Sequence, residues 1–161
     1  MSRITELQYR LLEYIRTLPK TAERDETLEW EQIHMASASR TAYLLALERG
    51  IDPELPACAA SVHDFGRILT GKQSGHAEAG YLPVRDFLRS TGLFTTEEID
   101  TISLAVKNHS SKTVAGTPIE EIVKDADVID CYQYGTPFDR PEKEIRYRNW
   151  LKNTKTGEKR G

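Results

Sequence analysis

The sequence predicts an all-α fold, a single-domain bundle of about six to seven helices. Apolar residues recur at intervals of three and four along most of the chain. Helix start and stop signals punctuate that pattern, and no stretch alternates apolar and polar residues as a half-buried strand would. The 161 residues suffice for one domain with its own core.

Ile4, Leu7, Leu11, Ile15 and Leu18 mark a first helix, closed by Pro19. A second runs from about Glu26 to Glu48 and stops at Gly50. Pro53 opens a third, rich in small residues (PELPACAASVHDF), for which Gly66 is the expected terminator. Lys72 to Gly75 reads as a turn, with Ser74 as N-cap of a helix toward Arg89. Thr95 and Glu98 form a capping box ahead of Ile99, Ile102, Ala105 and Val106. Thr117, Pro118 and Glu120 supply a cap, a first-turn proline and an acidic first turn for a helix through Ile129. A last short helix is expected over Arg140 to Leu151. The domain is thus expected to span residues 1–152, with 153–161 as a polar, frayed tail.

Hydrophobic residues at 39% and charged residues at 29% are ordinary for a soluble globular protein. A net charge of −3 argues against an extended nucleic-acid surface. It leaves room for a small anion at a metal site, where bound cations reverse the local sign. Cys58 and Cys131 have no CxxC spacing, so no disulfide framework is expected and a reducing compartment is the default. The N-terminus lacks a signal-peptide pattern, and no apolar run approaches the roughly 20 residues of a membrane span. A cytoplasmic location without a membrane partner is the expectation.

The chemistry falls on His34, His63, His76 and His109, each expected on a different helix. His109 continues the stripe of Ile99, Ile102 and Val106. His76 shares a face with Gly80, Val84 and Phe87, and Gly80 permits close approach of another helix. His34 aligns with Ala38, Thr41 and Leu45. A lone histidine on an apolar face is ordinarily a core residue. Four inward imidazoles beside Asp64 are costly to bury without partners, and facing helices of a bundle commonly build metal sites. Imidazole with carboxylate suits iron, manganese, nickel or zinc without a thiolate. Cys58 and Cys131 read as packing residues. A further carboxylate is expected from VKDADVID, where periodicity puts Asp130 nearer the apolar stripe than Asp127 and does not choose between them.

The ordered set His34, then His63-Asp64 within AASVHDFGR, then Asp127 within ADVID resembles the HD superfamily of metal-dependent phosphohydrolases. The likeness covers about residues 34–132. It implies an HD-domain-like fold in which His34, His63, Asp64 and Asp127 bind one metal, leaving Asp130 as a structural or supporting acid. In branches with two further histidines a second metal binds, and His76 (GHAEAG) and His109 (KNHSSK) occupy comparable places, with Asp64 bridging as the central catalytic residue. GYLP at Gly80–Pro83 is misplaced for the motif of the cyclic-dinucleotide branch, and no acid follows His63-Asp64 closely as in some nucleotidases.

The resemblance therefore implies hydrolysis of a phosphate ester, mono- or diester, of a nucleotide or other small phosphorylated metabolite by metal-activated water. The cofactor is one or two divalent ions among Fe, Mn, Ni, Co and Zn, with Mg admitted. Two such ions bring four positive charges, of which Asp64 and Asp127 offset two, and lower the pKa of bound water toward about 7. With one metal, His76 and His109 would contact phosphate or relay a proton. Arg67, Lys72 and Lys107 are the candidate phosphate contacts, and Glu78 a candidate base or ligand-orienting acid. The alternatives are a di-iron oxygenase on the same fold and a non-catalytic nucleotide-sensing module.

Overall fold

The computed structural model describes residues 1–20 and 23–157, and these form eight helical segments without a strand among the described residues. The first, α1 (Arg3–Thr17), is capped by Ser2, whose hydroxyl accepts from the Thr5 amide, and it buries Leu7, Leu11 and Ile15. It stops because Leu18 must be extended ahead of Pro19. The second, α2 (Leu28–Glu48), starts two residues later than expected, where Thr27 caps the Trp30 amide, and ends at Gly50 with φ 68°.

The expected third helix is divided in two, α3 (Glu54–Val62) and α4 (Phe65–Thr70), which accounts for the extra segment. The break falls on His63-Asp64, where Asp64 leaves helical geometry at φ −90°, ψ 17°. Gly66 is not the terminator, since it lies inside α4 and Gly71, at φ 71°, ends the segment. Gly66 serves packing instead. A Cβ there would collide with the His76 carbonyl and lie 2.6 Å from the Gly80 amide nitrogen. Gly80 faces it across the same seam, as its spacing with His76 implied.

The next helix, α5 (His76–Thr91), is entered through Gly75 at φ 69° rather than capped by Ser74. A left-handed glycine supplies the turn that a side-chain cap would otherwise have made. Both α6 (Thr96–Asn108) and α7 (Pro118–Gln133) begin with full reciprocal capping boxes, at Thr95/Glu98 and Thr117/Glu120. The last helix, α8 (Pro141–Gly157), runs through residues expected to fray, while residues 158–161 lie outside the described residues.

The small residues of α3 explain its central place. Ala57, Cys58, Ala59 and Ala60 are fully buried, and their short side chains let α1, α2, α6 and α7 all pack around this one helix. The junction after α3 therefore opens into the middle of the bundle. Helix α4 leans on α5, and α8 packs on α7. No helix among the described residues is long and apolar enough to cross a membrane.

Candidate metal centre

His63 and His109 stand at the C-caps of α3 and α6, where helix carbonyls lack intrahelical partners. Each ring turns back on its own helix end. His63 Nδ1 lies 2.7 Å from Ala60 O and His109 Nδ1 lies 2.6 Å from Val106 O. His76, at the start of α5, does the same to Gln73 O at 2.6 Å. A carbonyl only accepts, so all three Nδ1 atoms carry the proton and donate it. His34 Nδ1 donates to Asp130 Oδ2 at 2.7 Å.

That pattern leaves every Nε2 as a lone pair in the neutral ring, and the four Nε2 atoms meet in two pairs. His34 and His63 face each other at 3.1 Å, and His76 and His109 at 2.9 Å. Two lone pairs at such distances repel unless a cation stands between them. Asp64 divides its carboxylate between the pairs. Its Oδ2 is 3.5 Å from His34 Nε2 and 3.2 Å from His63 Nε2, while Oδ1 is 3.1 Å from His76 Nε2 and 3.5 Å from His109 Nε2. Asp127 stands against the first pair, its Oδ1 3.3 Å from His34 and 3.5 Å from His63. Ligands on bonds of about 2.0–2.2 Å sit roughly 3–3.5 Å from one another, and these separations match. The cluster fits divalent metal.

All four histidines are buried, His34, His63 and His109 at 1% exposure each. Burial opposes charge on the His63 ring, but Asp64 and Asp127 outweigh it and lift its pKa to about 9. His34 is raised well above the usual range against the same burial cost, through Asp127 and Asp130. Burial wins at His109, which falls to about 4 with the charges of His63 and Lys112 adding to the effect. Asp64 and Asp127 stay ionised well below the usual carboxylate range. Burial pushes them up, but His63 and Arg67 outweigh it for Asp64, and Lys112 and His34 for Asp127.

Asp130 is the fully buried acid, as its place in the stripe implied, and it backs His34 while Ser37 donates to its other oxygen. Arg67 reaches the pocket wall, but its donors are taken up by Glu31 (Nε to Oε1, 2.7 Å), Gln73 (2.6 Å) and Asp64. This geometry ties Arg67 to Asp64 at the pocket wall. Lys72 lies apart from the cluster: its half-exposed side chain is 3.7 Å from Asp25, off the pocket wall. Lys107 is likewise elsewhere, over the Tyr81 ring at 4.9 Å and 3.6 Å from the exposed Glu78, and neither residue lines the pocket. Cys58 is a core residue whose thiol burial pushes up to about 12. Cys131 is not mere packing. It lines the pocket, with Sγ 3.5 Å from Asp127 Oδ1 and 3.9 Å from His34 Nε2.

A pocket of about 300 Å³ opens over the centre. Sequence reasoning missed the cation that serves it. Lys112, 1% exposed at its side chain, holds Asp127 Oδ2 at 2.6 Å. It sits in the turn after His109, where no periodicity could point to it. Arg140 and Lys143 reach the rim from the start of α8, and Tyr132 stacks on Phe138 there at 4.5 Å and 3°. The i, i+4 spacing of Asp127 and Cys131 was a readable sign that both face one way.

The chain is similar in structure to a crystal structure of a predicted HD superfamily hydrolase from an uncultured Thermotogales bacterium. The TM-score is 0.61 at 20% identity, over 96% of this chain and 91% of that one. No curated protein matches the sequence. The family model described as HD domain matches residues 32–133, a span that begins just before His34 and ends just after Asp130, and the chain belongs to that family.

Proposed function

We propose that the protein is a metal-dependent hydrolase that cleaves a phosphate ester of a nucleotide or another small phosphorylated metabolite. One observation carries the reading: two inward-facing Nε2 pairs share the single carboxylate of Asp64 beneath an open pocket. His34, His63, Asp64 and Asp127 would hold one ion, and Asp64, His76 and His109 a second. Borderline donors of this kind favour Fe, Mn, Co, Ni or Zn, with Mg admitted. When bound, such ions activate water and neutralise charge developing on phosphoryl oxygens.

The chain's own groups do the rest. Asp130 and the backbone carbonyls fix the ring orientations, so each Nε2 is held ready without reorganisation. Arg67, anchored by Glu31, keeps Asp64 aimed between the two pairs. Lys112 presents a buried ammonium at the pocket floor, suited to a phosphoryl oxygen or to the departing group. Arg140 and Lys143, paired with Glu142 and Asp139, stand at the rim beside the Tyr132–Phe138 stack, where a nucleobase would find an aromatic neighbour. The similar structure, described as a hydrolase, supports the reaction class.

The test is a phosphate-release screen over nucleotides and small phosphomonoesters and diesters with Mn, Mg, Co, Fe and Ni. Release that is abolished by chelator and by Asp64→Asn, with helical content retained, is the expected result. Oxygen uptake by iron-loaded protein without any phosphate release would replace hydrolysis with oxidation.

A further inference from the structure

We propose that Cys131 is a thiolate ligand of the first metal, so that this site combines imidazole, carboxylate and sulfur donors. The inference rests on the metal-binding reading above and specifies which cations the site prefers.

Asp127 and Cys131 are four residues apart on α7, so they project from one face of the helix. His34 Nε2, Asp127 Oδ1 and Cys131 Sγ form a compact triangle with sides of 3.3, 3.5 and 3.9 Å. A metal–sulfur bond of about 2.3 Å beside a metal–nitrogen or metal–oxygen bond of about 2.0–2.2 Å gives a sulfur-to-donor separation from about 3.1 Å at the right angles of a five- or six-ligand site to about 3.6 Å at a tetrahedral angle. The distance to Asp127 meets this, and that to His34 needs a shift of a few tenths of an ångström. The thiol also lines the open pocket, whereas Cys58 is sealed in the core between α3 and its neighbours. The competing account is plain: Cys131 S–H donates a weak hydrogen bond to Asp127 Oδ1 and never meets the metal.

Binding is a simple exchange. The metal–sulfur bond forms, the S–H bond breaks and the proton passes to solvent, with no change of oxidation state. The consequence is selectivity, because sulfur favours softer cations such as zinc, cobalt and cadmium over manganese and magnesium.

The experiment titrates metal-free, full-length protein with Co(II) and reads its absorption spectrum. The expected spectrum has visible d–d bands together with an intense near-ultraviolet sulfur-to-cobalt charge-transfer band. That band persists in Cys58→Ala and disappears in Cys131→Ser, which keeps the d–d bands. The Cys58→Ala protein identifies the sulfur even if Cys131→Ser fails to fold. Visible bands without charge transfer in the unaltered protein overturn the proposal while leaving metal binding intact. A charge-transfer band lost in Cys58→Ala overturns it too. Absence of bound cobalt, read by elemental analysis of the titrated protein after desalting, overturns both this proposal and the metal reading beneath it.

Discussion

Asp130 holds His34 from behind, its Oδ2 2.7 Å from the ring Nδ1, and so decides which nitrogen faces the pocket. A ligating histidine whose outer N–H is anchored to a carboxylate binds metal more tightly than a free ring. Asp130→Asn keeps size and burial but loses the anionic acceptor. Metal affinity should fall about 10- to 100-fold with helical content unchanged, as read by chelator competition and circular dichroism. Unchanged affinity would mean that Asp130 serves packing alone.

The Gly66–Gly80 seam sets the reach of the second histidine pair. A methyl group on Gly66 meets the His76 carbonyl and the Gly80 amide at 2.6 Å, so α4 and α5 must separate. Gly66→Ala should cost about 1–3 kcal/mol in denaturant unfolding. It should also lower metal stoichiometry by loosening His76 while His34, His63 and Asp127 still bind. Full stoichiometry at unaltered stability would contradict the role given to this contact.

Lys112 pairs with Asp127 Oδ2 at 2.6 Å and is almost wholly buried. Lys112→Met preserves the apolar stem and removes the charge. Metal should bind at least as well, because a competing cation is gone, whereas turnover should fall about 100-fold as a donor to developing phosphoryl charge is lost. Equal loss of both would assign Lys112 to the scaffold.

Away from the centre, Glu121 ties α7 to α8. Its carboxylate pKa is lowered to about 2: partial burial pushes it up, but Lys124, Arg146 and the Gly116 amide outweigh that. A group whose folded pKa lies below its unfolded value adds stability above the unfolded pKa. That stability drains as pH falls toward the folded one. Glu121→Gln should therefore cost about 1–2 kcal/mol at pH 7, less than the full shift implies because the carboxylate is partly in water. The gap between variant and parent should close between about pH 4.5 and pH 2. A gap that stays constant across that range would place the effect elsewhere.

Much of the helical framework was legible in local chemistry. Thr95/Glu98 and Thr117/Glu120 each announce a capping box that forms as written, and Pro19 ends α1 where it must. Gly66 was misread because glycine breaks helices and also lets them touch, and sequence spacing alone does not separate the two uses. Ser74 lost the cap to Gly75 because the chain needs a left-handed turn there. At the site, His34, His76 and His109 lay on recognisable faces and His63-Asp64 was legible as a motif, while Lys112 in its turn and Arg140 and Lys143 at the start of α8 converge only through the tertiary fold. Lys72 and Lys107 flank histidine motifs in sequence, yet neither side chain is directed into the pocket.

The most direct measurement is anomalous diffraction from crystals of the protein loaded with manganese or iron. The expected map has two peaks about 3.5–4 Å apart. One should lie among His34, His63 and Asp127 and the other between His76 and His109, with the Asp64 carboxylate touching both. A lone peak, or an empty cluster in protein soaked with excess metal, would contradict a shared dinuclear centre.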